Sequence, residues 1–175
     1  VTAPESLRRS IESIILESLT RKRDPEALVN EVASMRTRMA QEHKGRSIWD
    51  IKHRRGGLVD IEFITQYLML RHAAEHPDIL NPNTAEALSG LVAAGVLDNA
   101  ISADLQNTLA LWQRLQGVLR LSVEGAFDGD NVTEGQRALL VKAGNASDFD
   151  TLVKIMESAA ATVRGHFQNI VGEPS

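Results

Sequence analysis

Apolar residues return every three or four positions along most of this chain, and strict two-residue alternation is almost absent, so the pattern predicts helices joined by short polar turns. Leu7, Ile11, Ile14, Ile15 and Leu19 form a first stripe, opened by Thr2 with Pro4 and Glu5 in the first turn. Asp24 before Pro25 reads as an N-cap with proline at the first helical position, and Leu28, Val32, Met35 and Met39 then face inward on a helix ending near Gly45. Asn83 with Glu86 caps a short helix that stops at Gly95. Ser102 opens a longer one carrying Leu105, Leu109, Trp112, Leu115 and Leu119. Thr133 and Gln136 make a capping box for a segment ending at Gly144. Ser147 and Asp150 start the last helix, with Phe149, Leu152, Met156, Ala159, Val163, Phe167 and Ile170 on one face. The one extended stretch expected is Ile48 to Arg54.

A third helix, from Leu58 to about Glu75, differs from the rest. Leu58, Val59, Ile61, Phe63, Ile64, Tyr67, Leu68, Met69 and Leu70 cover most of its circumference, which predicts a buried, central position. The fold class that follows is all-α, a bundle of about seven helices around that helix. The domain reading is one helical domain over residues 1–175, with residues 1–46 as an N-terminal helical pair and 47–175 as a loop and main bundle. The chain begins with Val1 instead of methionine, which suggests a piece of something longer.

Composition narrows the class. Apolar residues make up 43% of 175, enough for a core, and there is no cysteine for disulfides or thiolate zinc sites. A net charge of −4 argues against general nucleic-acid binding, which depends on neutralising phosphates. No apolar run reaches membrane-spanning length, and Glu5, Arg8 and Arg9 interrupt any signal-peptide core, so a cytoplasmic protein without membrane contact is expected. The basic run Arg21-Lys22-Arg23 fits a helix C-terminus, where cations complement the dipole.

Candidate chemistry concentrates just before the central helix. Lys52, Arg54 and Arg55 precede Gly56 and Gly57, and glycine amides at a helix start can approach an anion closely. Phosphate or acidic-surface binding and a purely structural loop-to-helix junction both fit. With Gly57 as N-cap, Asp60 occupies the third helical position and can accept backbone N–H bonds. Asp60 and Glu62 diverge by about 200° and cannot easily share a metal, whereas Glu62 and Gln66 lie about 40° apart on one face. Buried carboxylates need partners, and Lys52, Arg54 and Arg55 are the nearest.

Two other patterns are weak. His72-Ala73-Ala74-Glu75-His76 fits the inverted zincin pattern, but it stands where the helix ends before Pro77, and histidines there also complement a dipole. Asp128-Gly129-Asp130-Asn131 starts like a calcium loop, yet its glycine is misplaced and Leu139 stands where a bidentate glutamate belongs. No metal site is expected.

The segment Asp50-Ile51-Lys52-His53-Arg54-Arg55-Gly56-Gly57-Leu58-Val59-Asp60-Ile61-Glu62-Phe63-Ile64-Thr65-Gln66-Tyr67-Leu68 resembles the signature of the glutamine synthetase adenylyltransferase family. The likeness is strongest from Ser47 to Arg71, and it implies the helical domain that follows a nucleotidyltransferase domain, in the adenylylating half of a bifunctional enzyme. It implies ATP and magnesium in the full-length enzyme, and glutamine synthetase, the PII signal protein and the preceding nucleotidyltransferase domain as partners. The family's Gly-Ser and paired-aspartate catalytic motifs are missing here, so the chain alone is expected to bind no cofactor and to be inactive. On this resemblance Lys52, Arg54, Arg55, Gly56 and Gly57 face the catalytic site, with Asp60, Glu62 and Gln66 in support. The alternatives are a docking module responsive to PII or glutamine, and the related helical domain of a PII uridylyltransferase.

Overall fold

A computed structural model describes residues 4–43, 47–122, 127 and 132–172. Seven α-helices follow in order among them: α1 (Glu5–Thr20), α2 (Pro25–Glu42), α3 (Leu58–His72), α4 (Thr84–Ala93), α5 (Asn99–Ser122), α6 (Glu134–Ala143) and α7 (Phe149–Ile170). A single 3₁₀ turn, Pro77–Ile79, joins α3 to α4. The expected extended stretch at Ile48 to Arg54 is instead a series of turns, because its carbonyls bond forward to later amides rather than sideways to another strand.

The central helix is α3. It packs against α2, α4, α5 and α7 with α1 alongside, and Leu58, Val59, Ile61, Ile64, Tyr67 and Leu68 are buried on it. Leu105, Leu109, Trp112 and Leu115 of α5 and Leu152, Met156, Ala160, Val163 and Phe167 of α7 close the core around it. His72 ends α3, and His76 lies beyond it as the N-cap of the 3₁₀ turn.

Several helix ends are shifted from their expected places for identifiable reasons. Pro4 precedes α1 without a side-chain cap, and Thr2 lies outside the described residues, as do Gly45 and the segment Asp128 to Asn131. The start of α5 is set by Asp98, whose carboxylate accepts the amides of Ala100 and Ile101. Ser102 is thereby inside the first turn and buried against α4. Gly95 ends α4 at φ +70°, with Gly95 N–H bonded to Val92 and Val96 N–H to Leu91, the Schellman pattern. At the end of α6 the left-handed residue is Asn145 (φ 54°), one place beyond Gly144. Gly144 serves a different need, since a Cβ there would stand 2.2 Å from Leu152 Cδ1.

Asp148, not Ser147, caps α7. It accepts from Thr151 N–H, and the Ser147 hydroxyl, the Thr151 amide and the Thr151 hydroxyl together lower its pKa from 3.8 to about 2. A carboxyl depressed on folding contributes stability that is complete above its unfolded pKa and lost as pH falls through the folded one. Asp148→Asn is therefore expected to flatten the loss of thermal stability between about pH 4 and pH 2, read by circular dichroism melts. An unchanged acid limb would contradict this.

The stripe expected on α1 exists but is uncovered. No residue of α1 is buried, and Leu7, Ile11, Ile14, Ile15 and Leu16 are 46–66% exposed. Arg23 closes that helix by donating to the carbonyls of Ser18, Leu19 and Arg21, so the basic run there acts on the helix end.

Candidate functional site

Residues 47–57, leading into and opening the signature, wrap the N-terminal end of α3, and their carbonyls accept the amides of Gly57, Leu58 and Val59 at that end. Leu58 N–H bonds to Ile51 O at 3.0 Å, Val59 N–H to Lys52 O at 3.2 Å and Gly57 N–H to Arg54 O at 2.9 Å. Gly56 N–H donates to the Asp60 carboxylate, and Gly56 O accepts from Trp112 Nε1–H at 3.1 Å. Both glycines are buried. The expectation that their amides meet a phosphate is therefore corrected, because those donors are already bonded inside the fold.

The glycines serve close packing instead. A Cβ on Gly56 would sit 2.1 Å from the carbonyl oxygen of Ala160 on α7, and one on Gly57 would sit 2.4 Å from Ile51 O. Gly56 also takes φ +80°, the left-handed region that glycine enters without steric cost.

Asp60 stands at the third position of α3, as the spacing predicts, and is 0% exposed. Its main partner is a residue the sequence did not single out. Arg36 of α2, 1% exposed, donates through Nε to Asp60 Oδ1 and through Nη2 to the carbonyl oxygens of His53 (3.0 Å) and Arg54 (3.4 Å). Arg55 Nη1 lies 3.6 Å from the same carboxylate oxygen, with its guanidinium 4.8 Å over the Phe167 ring. A buried carboxylate is thus met by two guanidinium groups and an amide, and one arginine bolts α2 to the loop and to α3. The available signal was positional, since Arg36 lies four residues after Val32 and eight after Leu28, on the inward face. Met35, expected inside, is 51% exposed.

The three cations do not converge. Lys52 is exposed and lines a cleft of about 380 Å³ with Trp49, Gln116, Leu119, Arg120 and Phe127. Arg54 is half-buried, anchored by Nη1 donating to Ile48 O at 2.8 Å and lying 5.7 Å over the Trp112 ring. Its side chain borders a separate cleft against α7. Arg55 turns inward to Asp60. His53 stacks on His43 at 4.1 Å, and burial first, then the His43 charge, lowers its pKa, with Asp50 opposing.

Glu62 is half-buried and Gln66 exposed. Gln66 borders an apolar groove of about 620 Å³ between α1 and α3, walled by Ile15, Leu16, Leu19, Met69 and Leu70. The donor set around Asp60 does not suit magnesium. Two arginines repel a cation from it, and its oxygens already accept hydrogen bonds. Among the described residues no three His, Asp or Glu side chains gather as a metal site, and no helix is long and apolar enough to cross a membrane.

Over residues 27–171 the chain matches the family described as GlnD PII-uridylyltransferase. A bifunctional glutamine synthetase adenylyltransferase/adenylyl-removing enzyme of Rhodopseudomonas palustris (strain ATCC BAA-98 / CGA009) is 40% identical over 172 residues, covering 98% of this chain and 17% of that protein. The proteins of the same description from Bradyrhizobium sp. (strain BTAi1 / ATCC BAA-1182) and Xanthobacter autotrophicus (strain ATCC BAA-1158 / Py2) are 37% and 34% identical. They align over 99% and 98% of this chain and over 18% and 17% of their own lengths. The chain spans less than a fifth of the curated relatives it matches. With its all-α architecture and buried signature junction, the chain belongs to the GlnD PII-uridylyltransferase family of helical domains, and these relatives are glutamine synthetase adenylyltransferases.

Proposed function

We propose that this chain is an accessory helical domain of a cytoplasmic enzyme that adenylylates and deadenylylates glutamine synthetase, and that it supports a nucleotidyltransferase site carried by a neighbouring domain. ATP and magnesium belong to that neighbouring domain. One observation carries the reading. The backbone of the signature segment is locked by the buried Arg36–Asp60 pair and the Trp112–Gly56 bond, while Lys52 and part of Arg54 remain at the surface. Cations carried on a fixed backbone can meet anionic groups with only their side chains left to order on binding.

Lys52→Ala in the full-length enzyme tests it, because an exposed lysine can be truncated without disturbing the core. The expected result is a fall of about tenfold in kcat/KM for adenylylation, the size of one charge-assisted contact, with thermal stability unchanged. Equal rates and equal KM for ATP would remove the reading. Docking of PII on the last helix is the weaker alternative. Its outward residues Lys154, Glu157, Arg164 and Gln168 are polar or charged and offer no apolar anchor.

A further inference from the structure

The cleft between Arg54 and α7 gathers three cations against a single carboxylate among the described residues. It holds about 600 Å³ and is lined by Arg54, Lys154, Glu157, Ser158, Ala161 and Arg164. Among the described residues no carboxylate oxygen lies within 4.0 Å of the Arg54, Lys154 or Arg164 nitrogens. Burial first, and then the nearby Arg164 charge, pull the Arg54 pKa below its ordinary value, with Glu157 and Asp50 in partial opposition. Like charges held this close cost free energy, and an anion between them recovers it.

We propose that this cleft binds a compact phosphate-bearing anion, held by Arg54 from the signature segment and by Lys154, Ser158 and Arg164 from α7. Arg54 is the fixed element, pinned to Ile48 O and laid over Trp112, so its planar fork is oriented before any ligand arrives. Lys154 and Arg164 are ten residues apart, about 15 Å of helical rise, and their long side chains can lean together over the short Ser158 and Ala161 between them. Ser158, exposed in the lining, offers a hydroxyl donor. Three cations against one acid suit a ligand with several negative charges, and a diphosphate or triphosphate group has that charge density. Among the described residues no aromatic side chain borders the cleft, so it reads the phosphates and not a base. This rests on the preceding reading only in treating Arg54 as an anion contact, and it adds a second helix and a ligand class.

The test is calorimetric titration of the 175-residue chain, whose core closes on itself, with inorganic tripolyphosphate and, separately, with ATP. Binding of tripolyphosphate is expected, weakened at least about tenfold by the pair Arg164→Ala and Lys154→Ala, and changed less than about twofold by the pair Arg21→Ala and Lys22→Ala, an equal loss of charge elsewhere. Equal affinity for the two ligands assigns inorganic polyphosphate, and tighter ATP binding that keeps the same sensitivity assigns a nucleotide as the source. All four substitutions, two on α7 and two in the turn between α1 and α2, are at exposed positions, and unchanged melting curves certify the fold. Absence of tripolyphosphate binding, or binding indifferent to Arg164 and Lys154, overturns the proposal. So does binding of a poly-glutamate peptide in its place, which would give the cleft to a protein partner. These readings come from the chain alone, so they are independent of the adenylylation assay of Lys52→Ala.

Discussion

Gly56→Ala is expected to destabilise the domain by about 3–4 kcal/mol, with a fall in Tm on the order of 10 °C. Two costs add. The new methyl group would stand 2.1 Å from Ala160 O and 2.7 Å from Ala160 C and Cα, and all three are backbone atoms that no rotamer change can move. It would also hold an alanine at φ +80°, a conformation costing an L-residue about 1–2 kcal/mol. Relief requires α7 to move away from the junction. That motion would stretch the Trp112 Nε1–H bond to Gly56 O and loosen the contact that places Arg55 over Phe167. Gly95→Ala separates the two costs, because Gly95 has φ +70° but open space around its missing Cβ, and only about 1 kcal/mol should be lost there. Urea unfolding of both variants measures the difference. Equal losses would show that close approach to α7 contributes nothing.

Removing the carboxylate of Asp60 has the other large effect. Asp60→Leu leaves Arg36 buried at 1% exposure with its charge uncompensated, and the amide of Gly56 without its acceptor, for an expected loss of about 3–5 kcal/mol. Arg36→Met alone is milder, at about 2–3 kcal/mol, since Arg55 and Gly56 N–H still serve the carboxylate. The double variant should recover at least about 2 kcal/mol relative to the sum of the singles, because no buried charge is then left alone. Strict additivity in a urea-based double-mutant cycle would mean that the pair is not coupled. Against a total stability of roughly 5–15 kcal/mol for an ordinary domain, either single change at Asp60 or Gly56 is a large fraction.

These two sites also show what local pattern reveals and what it hides. The capping box at Thr133, the Asp24-Pro25 start of α2 and the Asn83 cap of α4 were legible because each is made within four residues of chain. Ser102 does not open α5, because Asp98 four residues earlier offers an equally local cap to the amides of Ala100 and Ile101. Only the contact of the Ser102 hydroxyl with Leu88 O depends on where α4 lies. The cationic run before Gly56 was legible as chemistry, though not as geometry. Lys52, Arg54 and Arg55 are near neighbours in sequence, yet they serve an outer cleft, an α7 cleft and a buried carboxylate.

What the sequence determines here is the helical class, the placement of most helix starts, the buried character of α3 and the position of Asp60 at its third residue, all set by periodicity and short-range hydrogen bonding. Only tertiary structure decides that Arg36 is the partner of Asp60, that Gly56 is small for the sake of α7, and that the stripe on α1 stays uncovered. Each of those turns on which segments distant along the chain meet and which do not. Which residues meet there depends on how the helices pack, and side-chain spacing within one helix carries no record of it.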